Sequence, residues 1–139
     1  MSDIKLIDIY GLPDREVAYR VLFELLSERT VDQSISHKGM PSLEQHRAFV
    51  DSKPYLAWCL LETPQDGIVG SVYLSQQREI GLFVFNRYWN RGFGADVVRQ
   101  LRERYPGRLL ANINPKNERS IRFFNKLGFK HIQNTYELV

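Results

Sequence analysis

Apolar residues alternate loosely through Ile4-Lys5-Leu6-Ile7-Asp8-Ile9-Tyr10, which predicts a first strand stopped by Gly11 and Pro13. The period then lengthens to that of a helix. Val17, Ala18, Val21, Leu22, Leu25 and Leu26 share one face of a segment running to about Arg29, and Pro13 fits its first turn. A polar stretch, Thr30 to Pro41, separates this helix from the next. Ser42 and Gln45 have capping-box spacing and Leu43, Phe49 and Val50 supply an apolar side, so a second helix is expected from Ser42 to before Pro54.

Two strands follow, Tyr55 to Glu62 and Ile68 to Ser75, joined by the turn-rich Thr63-Pro64-Gln65-Asp66-Gly67 of an antiparallel hairpin. Gln76-Gln77 turns the chain into a third strand, Glu79 to Phe85. A glycine-flanked turn then opens a helix through Asp96 to Leu101. Pro106-Gly107 ends that unit, and Arg108 to Ile113 is expected as a strand parallel to Glu79 to Phe85. A last helix after Asn117 turns Ile121, Phe124 and Leu127 inward and closes on Gly128 as a left-handed cap, with a final strand within Phe129 to Leu138. This order predicts an α+β domain: a mixed sheet of about six strands, antiparallel in its N-terminal half, with helices on both faces.

At 139 residues and 43% hydrophobic content, a single domain over residues 1–139 is expected. No apolar run approaches the ~20 residues of a membrane span, and the N-terminus lacks a signal-peptide apolar region, so no membrane partner and a cytoplasmic location are expected. Cys59 lies in the apolar run Tyr55 to Leu61 and is expected to be a buried, inert thiol. The net charge of +3 is modest, and acidic residues are interleaved with basic ones. Such mixing argues against a nucleic-acid partner, while a local positive excess would still suit an acidic cofactor. No metal site is expected.

Candidate chemistry concentrates in Glu79 to Ala95. Gly92 and Gly94 let the backbone approach a ligand closely, and the first-turn N–H groups of the following helix face outward with the positive end of its dipole. Arg87 and Arg91 add cations beside this phosphate cradle. A glycine pair at a helix start also fits an ordinary turn. A second segment, Asn112 to Phe129, changes the weighing. Asn117, Ser120, Phe124 and Lys126 to Phe129 fill a pattern that resembles the second signature of the GNAT superfamily of N-acetyltransferases. The first segment resembles that superfamily's acyl-CoA motif, Gln/Arg-x-x-Gly-x-Gly/Ala, with Trp89 at the Gln/Arg position and Gly92 and Gly94 at the right offsets. Trp89 and Glu79-Ile80-Gly81 look like the branch that contains the ribosomal-protein N-acetyltransferases.

The resemblance implies acetyl transfer from acetyl-CoA to a primary amine, by direct attack in a ternary complex. It implies that the two central parallel strands splay to admit the pantetheine arm. Main-chain groups of Leu82, Phe83 and Val84 would pair with that arm, Asn90, Arg91, Gly92, Phe93, Gly94 and Ala95 would hold the pyrophosphate, and Asn117 would hydrogen-bond the pantetheine. Asn117 equally suits a helix cap. Glu79 is the favoured base, against a structural ion pair with Arg78 or another cation. Phe124 stands where many relatives carry a tyrosine acid, which leaves Tyr136, Tyr88 or water to protonate the thiolate. His37 and His46 flank the region from which relatives build the acceptor pocket, and either could meet an amine, though surface or hydrogen-bonded histidines are common. A small molecule or a protein N-terminus remains open as acceptor, as does a homodimer in which a second subunit completes the acceptor side. The alternative is a noncatalytic acyl-CoA-binding or protein-interaction domain with the same fold.

Overall fold

The computed structural model describes residues 3–29 and 40–139. Its elements run β1 (Lys5–Asp8), α1 (Glu16–Glu28), α2 (Leu43–Asp51), β2 (Ala57–Thr63), β3 (Gly67–Leu74), β4 (Ile80–Val84), α3 (Phe93–Arg104) and α4 (Glu118–Lys126). The four strands form one sheet in the order β1-β2-β3-β4, every neighbour antiparallel. The antiparallel N-terminal half is therefore as the alternation predicts.

Alternation within the strands builds two cores. Leu6, Ala57, Cys59, Leu61, Val72, Leu74 and Ile80 face Val97 and Leu101 of α3. Trp58, Leu60 and Phe85 face the other way, onto Ala18, Val21, Leu22 and Leu25 of α1 and Val50 of α2. The apolar stripes read from the sequence thus coat both faces of the sheet. Burial pushes the Cys59 thiol up to about 11, so its nucleophilic thiolate is scarce near neutrality and the inert reading stands.

Local signals place most boundaries. Ser42 and Gln45 form both halves of the capping box, with Gln45 N–H donating to Ser42 Oγ at 3.1 Å and Ser42 N–H to Gln45 Oε1 at 2.9 Å. Gly128, at φ +97°, ends α4. Its N–H donates to Asn125 O at 3.0 Å and that of Phe129 to Phe124 O at 3.0 Å, the double closure of a Schellman turn. Pro13 lies ahead of α1, because Asp14 Oδ1 accepts the Glu16 N–H at 2.9 Å and starts the helix three residues later than expected.

The second half of the sheet departs from expectation. Four strands are present among the described residues, not six, and no parallel strand pair forms. Arg108 to Ile113 touches the sheet through one isolated parallel bridge, Glu79 with Leu110, and residues 127–139 contain no strand. A strand exists only where a neighbour pairs with its peptide groups, and alternation in the sequence does not supply that neighbour. α4 has no fully buried residue, so the expected inward face of Ile121 and Phe124 is only half-buried. It docks by Phe123 instead: a Cβ on Gly94 would lie 2.7 Å from the Phe123 ring and 3.3 Å from Leu82 Cδ2, so Gly94 is what lets α4 approach the first turn of α3.

His46 is also structural. It is 4% exposed, its ring meets Phe23 edge-on at 5.5 Å, and its Nε2 lies 3.2 Å from the Tyr19 carbonyl oxygen to which it donates. His37 and most of the Thr30 to Pro41 stretch lie outside the described residues.

Two predictions follow from this packing. Burial lowers the pKa of His46 in the folded state, so the unfolded chain binds the extra proton first as pH falls below its ordinary value of about 6.5. Stability should be at its full value above that pH and decline below it, and His46→Gln should flatten this decline in melting curves taken between about pH 7 and pH 5. For the α3–α4 contact, Gly94→Ala should cost about 1–3 kcal/mol in denaturant titrations. Combined with Phe123→Leu, the loss should be smaller than the sum of the two single losses, because both changes act on one contact.

Candidate active site

The outer edge of β4 is where main-chain chemistry is available. Phe85 N–H donates to Val69 O at 2.9 Å and Ser75 N–H to Glu79 O at 2.8 Å, so the peptide groups of Glu79 and Phe85 run to the β3 side. Ile80 N–H donates the other way, to Leu110 O at 2.7 Å. Antiparallel strands alternate their bonding direction residue by residue, which assigns Leu82 and Val84 to the outer edge and Phe83 to the β3 ladder. Past the single bridge at Leu110, no described strand covers the edge.

The far end of that edge is closed by a side chain. After Val84 a short 3-10 turn, Asn86–Tyr88, swings Trp89 back, and its indole N–H donates to Val84 O at 2.8 Å. Trp89 is thereby a clamp on the edge. Asn90 (φ +65°) and Gly92 (φ +79°) both take the left-handed conformation, which fixes the tight entry into α3. Gly92 is the N-cap and supplies no side-chain acceptor, so the first-turn N–H groups of α3 are not capped by it. The space around a Cβ at Gly92 is open, whereas Gly94 is filled by Phe123; only the first of the two glycines leaves room for a ligand.

Cations gather here with different commitments. Arg91 pairs with Asp66 at 3.0 Å, and Arg87 lies over the rings of Phe85 (4.6 Å) and Tyr88 (4.8 Å). Arg119, from the first turn of α4, stacks over Trp89 at 3.7 Å, and burial lowers its pKa. The sequence reading passed over Arg119 although it stands inside the second motif, two residues after Asn117. Asn117 caps α4, its Oδ1 accepting the Ser120 N–H at 3.2 Å, so any ligand contact would fall to its Nδ2.

Glu79 sits just ahead of β4 at the single bridge to Leu110, held by neutral donors. Asn112 Nδ2 donates to its Oε2, and Ser75 Oγ donates to its Oε1 at 3.3 Å. Arg78 is not its partner. That guanidinium donates instead to Arg108 O (2.9 Å), Tyr105 O (2.7 Å) and Pro106 O (3.0 Å), tying the chain after α3 to the start of β4. Ser75 and Asn112 gave no motif signal, since each acts only through where the fold puts it. Phe124 packs edge-on against Phe123 (4.9 Å) and Phe129 (5.0 Å). Tyr136 is 88% exposed in the C-terminal segment and shares none of the contacts that hold Glu79.

On the opposite face of β4, the Phe83 ring belongs to an aromatic wall. Tyr73 lies 6.2 Å from it and stacks on Tyr55 at 3.8 Å, while Tyr55 meets Trp58 edge-on at 4.7 Å. Burial raises the pKa of both phenols. A separate open cleft of about 400 Å³ lies by the start of α1, but its Arg15, Tyr19 and Asp51 are joined in a surface ion pair and hydrogen bond. That pairing gives it a structural role.

Comparison with other proteins bears on this arrangement. No curated protein sequence matches the chain significantly. A domain from Methanocaldococcus jannaschii superposes with a TM-score of 0.78 at 22% identity, over 99% of this chain and 94% of that one. A mutant of the spermidine N-acetyltransferase of Vibrio cholerae gives 0.69 at 13% identity, over 94% and 81%. The structure of yncA from Salmonella typhimurium with its cofactor acetyl-CoA gives 0.65 at 17% identity, over 93% and 79%. At such identities the likeness speaks for the fold alone. The sequence itself goes further, since residues 13–130 match the acetyltransferase (GNAT) domain, a span that holds the edge of β4, the turn into α3 and the cap of α4: this chain belongs to the GNAT acetyltransferase family.

Proposed function

We propose that the chain transfers an acetyl group from acetyl-CoA, the cofactor GNAT acetyltransferases use, to a primary amine by direct attack in a ternary complex. The observation that carries this reading is the continuity of two donor sets: the uncovered β4 edge at Leu82 and Val84 runs into the uncapped first turn of α3 behind Gly92. The residues fit the group. First-turn N–H groups from Phe93 to Ala95, with Asn90, Arg91 and Arg119, suit a diphosphate. The N–H groups of Leu82 and Val84 suit an extended amide-bearing arm and a polarised thioester oxygen, and Asn117 Nδ2 adds one donor. Phe83 contributes its ring rather than its main chain, and Phe124 closes the cofactor side as an apolar surface.

Bound there, acetyl-CoA supplies an acyl thioester whose carbonyl carbon a neutral amine attacks, the C–N bond forming as the C–S bond breaks and sulfur leaves as thiolate. Glu79 takes the proton the amine gives up, directly or through water. Asn112 and Ser75 aim its two oxygens. Tyr136 stands apart from this cluster, so the thiolate, a weak base, takes its proton from water. Trp89 and Glu79-Ile80-Gly81 keep the ribosomal-protein branch as the reading within the family, in the cytoplasm. A homodimer completing the acceptor side accords with the exposure of Ile132 (62%) and Leu138 (100%) in the segment that forms no strand.

Binding, turnover and assembly each test these assignments. Calorimetry should show coenzyme A binding, and thiol release over an amine panel should show turnover; binding with no turnover on any amine would favour the noncatalytic alternative. Glu79→Gln should lower kcat by about 10²–10⁴ with coenzyme A affinity little changed. Tyr136→Phe should leave the alkaline limb of the pH–rate profile where it is. Sedimentation of a monomer that is fully active at all concentrations would remove the second subunit.

A further inference from the structure

The α3 side of β4 is occupied by the cofactor reading, but the aromatic wall on the other side has not been given a task. Among the described residues, two buried side-chain polar atoms have no hydrogen-bond partner: Arg29 Nε and Trp58 Nε1. Both are donors, and both belong to this wall. The Arg29 guanidinium carbon lies 3.6 Å from the centroid of the Phe83 ring, and Phe83 leads through Tyr73 and Tyr55 to Trp58. Phe83 is also the residue between Leu82 and Val84, so Arg29 lies across β4 from the edge assigned to the thioester.

Other arginines show what Arg29 lacks. Arg15, Arg47, Arg91 and Arg99 each hold a carboxylate, from Asp51, Glu16, Asp66 and Asp96. Among the described residues none pairs with Arg29. Burial pulls its pKa below the ordinary guanidinium range, and the phenols of Tyr73 and Tyr55 only partly offset that. A ring face compensates a desolvated cation weakly compared with an anion in its plane. A fold that carries such a group beside a reaction centre has a donor fork prepared for an oxyanion.

We propose that the acceptor is a small primary amine that also bears a carboxylate, gripped by Arg29 against the Phe83–Tyr73–Tyr55 wall. This rests on the acetyltransferase reading and deepens it. One planar fork matches one carboxylate, whereas a phosphate dianion calls for further cations, and among the described residues Arg29 alone stacks on the Phe83 ring. A polyamine would bring its second ammonium toward Arg29 and be repelled. The Trp58 indole, a neutral donor, likewise suits an oxygen rather than an ammonium.

The test compares amino acids with their own carboxamides as acceptors, with spermidine and phosphoethanolamine as further arms, by thiol release from the full chain. The acid should exceed its amide in kcat/KM by about tenfold to a hundredfold. Arg29→Gln should abolish that ratio through KM, and Arg29→Lys should restore part of it, with coenzyme A affinity unchanged in both. Preference of the unaltered chain for amides, spermidine or phosphoethanolamine would overturn the proposal, and needs no variant to fold. So would an Arg29→Gln variant that slows acid and amide alike. If no amine is turned over, the comparison becomes thermal shift with coenzyme A present: stabilisation by the acid over its amide supports the site, and equal or no stabilisation overturns it. Failure of coenzyme A itself to bind would instead sink the acetyltransferase reading.

Discussion

A single pair of peptide hydrogen bonds, Ile80 N–H to Leu110 O at 2.7 Å and Leu110 N–H to Arg78 O at 2.9 Å, governs the rest of the molecule's chemistry. They bring the returning chain to β4 and then let it go. Had the ladder continued, Leu82 and Val84 would have spent their donors on a neighbouring strand, and the sheet would have been closed. Arg78 sets this limit from below by pinning three carbonyls after α3, and Trp89 sets it from above by taking Val84 O. Between these two fixtures lies a short length of strand edge, which a soluble protein ordinarily covers or blunts.

The turn after β4 extends the same logic from strand to helix. Left-handed backbone at Asn90 and Gly92 is unfavourable for most side chains, and the return is a helix whose first N–H groups open in the direction of the free edge. Glu79, just ahead of β4, is held by Ser75 and Asn112. The Phe123 ring against Gly94 keeps α4 close enough for Arg119 to reach Trp89.

The edge and one face of β4 carry opposite problems of solvation. At the edge, the Leu82 and Val84 N–H groups have no strand partner among the described residues. On the α1 face, the Arg29 guanidinium has been taken out of water with an aromatic ring under it and, among the described residues, no anion beside it. Both conditions are costly in a chain alone and are relieved by ligands that bring oxygen atoms. The two meet at Phe83, whose neighbours Leu82 and Val84 turn their N–H groups to the edge while its ring lies under Arg29.

Much of this was legible in the amino-acid order. The capping box at Ser42, the left-handed stop at Gly128, the hairpin of β2 and β3 and the glycine-flanked turn are all set by neighbours within a few residues, and each appears where expected, whereas the helix stripes hold only in part, with Val17, Leu43 and Phe49 exposed and α4 without a buried residue. The two GNAT-like segments marked Gly92, Asn117 and the β4 strand on the same local grounds. What the chain order does not carry is pairing between distant segments. Arg108 to Ile113 and Phe129 to Leu138 alternate well enough to be strands, yet a strand is a property of two segments, and only the tertiary structure decided that, among the described residues, the first makes a single bridge and the second no strand. It likewise decided that Glu79 answers to Asn112 rather than Arg78, that Phe83 points its main chain inward, and that Arg29 reaches Phe83 with no carboxylate beside it among the described residues. Hydrophobic period and turn chemistry are local, whereas hydrogen-bond partnership and desolvation are fixed only when remote parts of the chain meet.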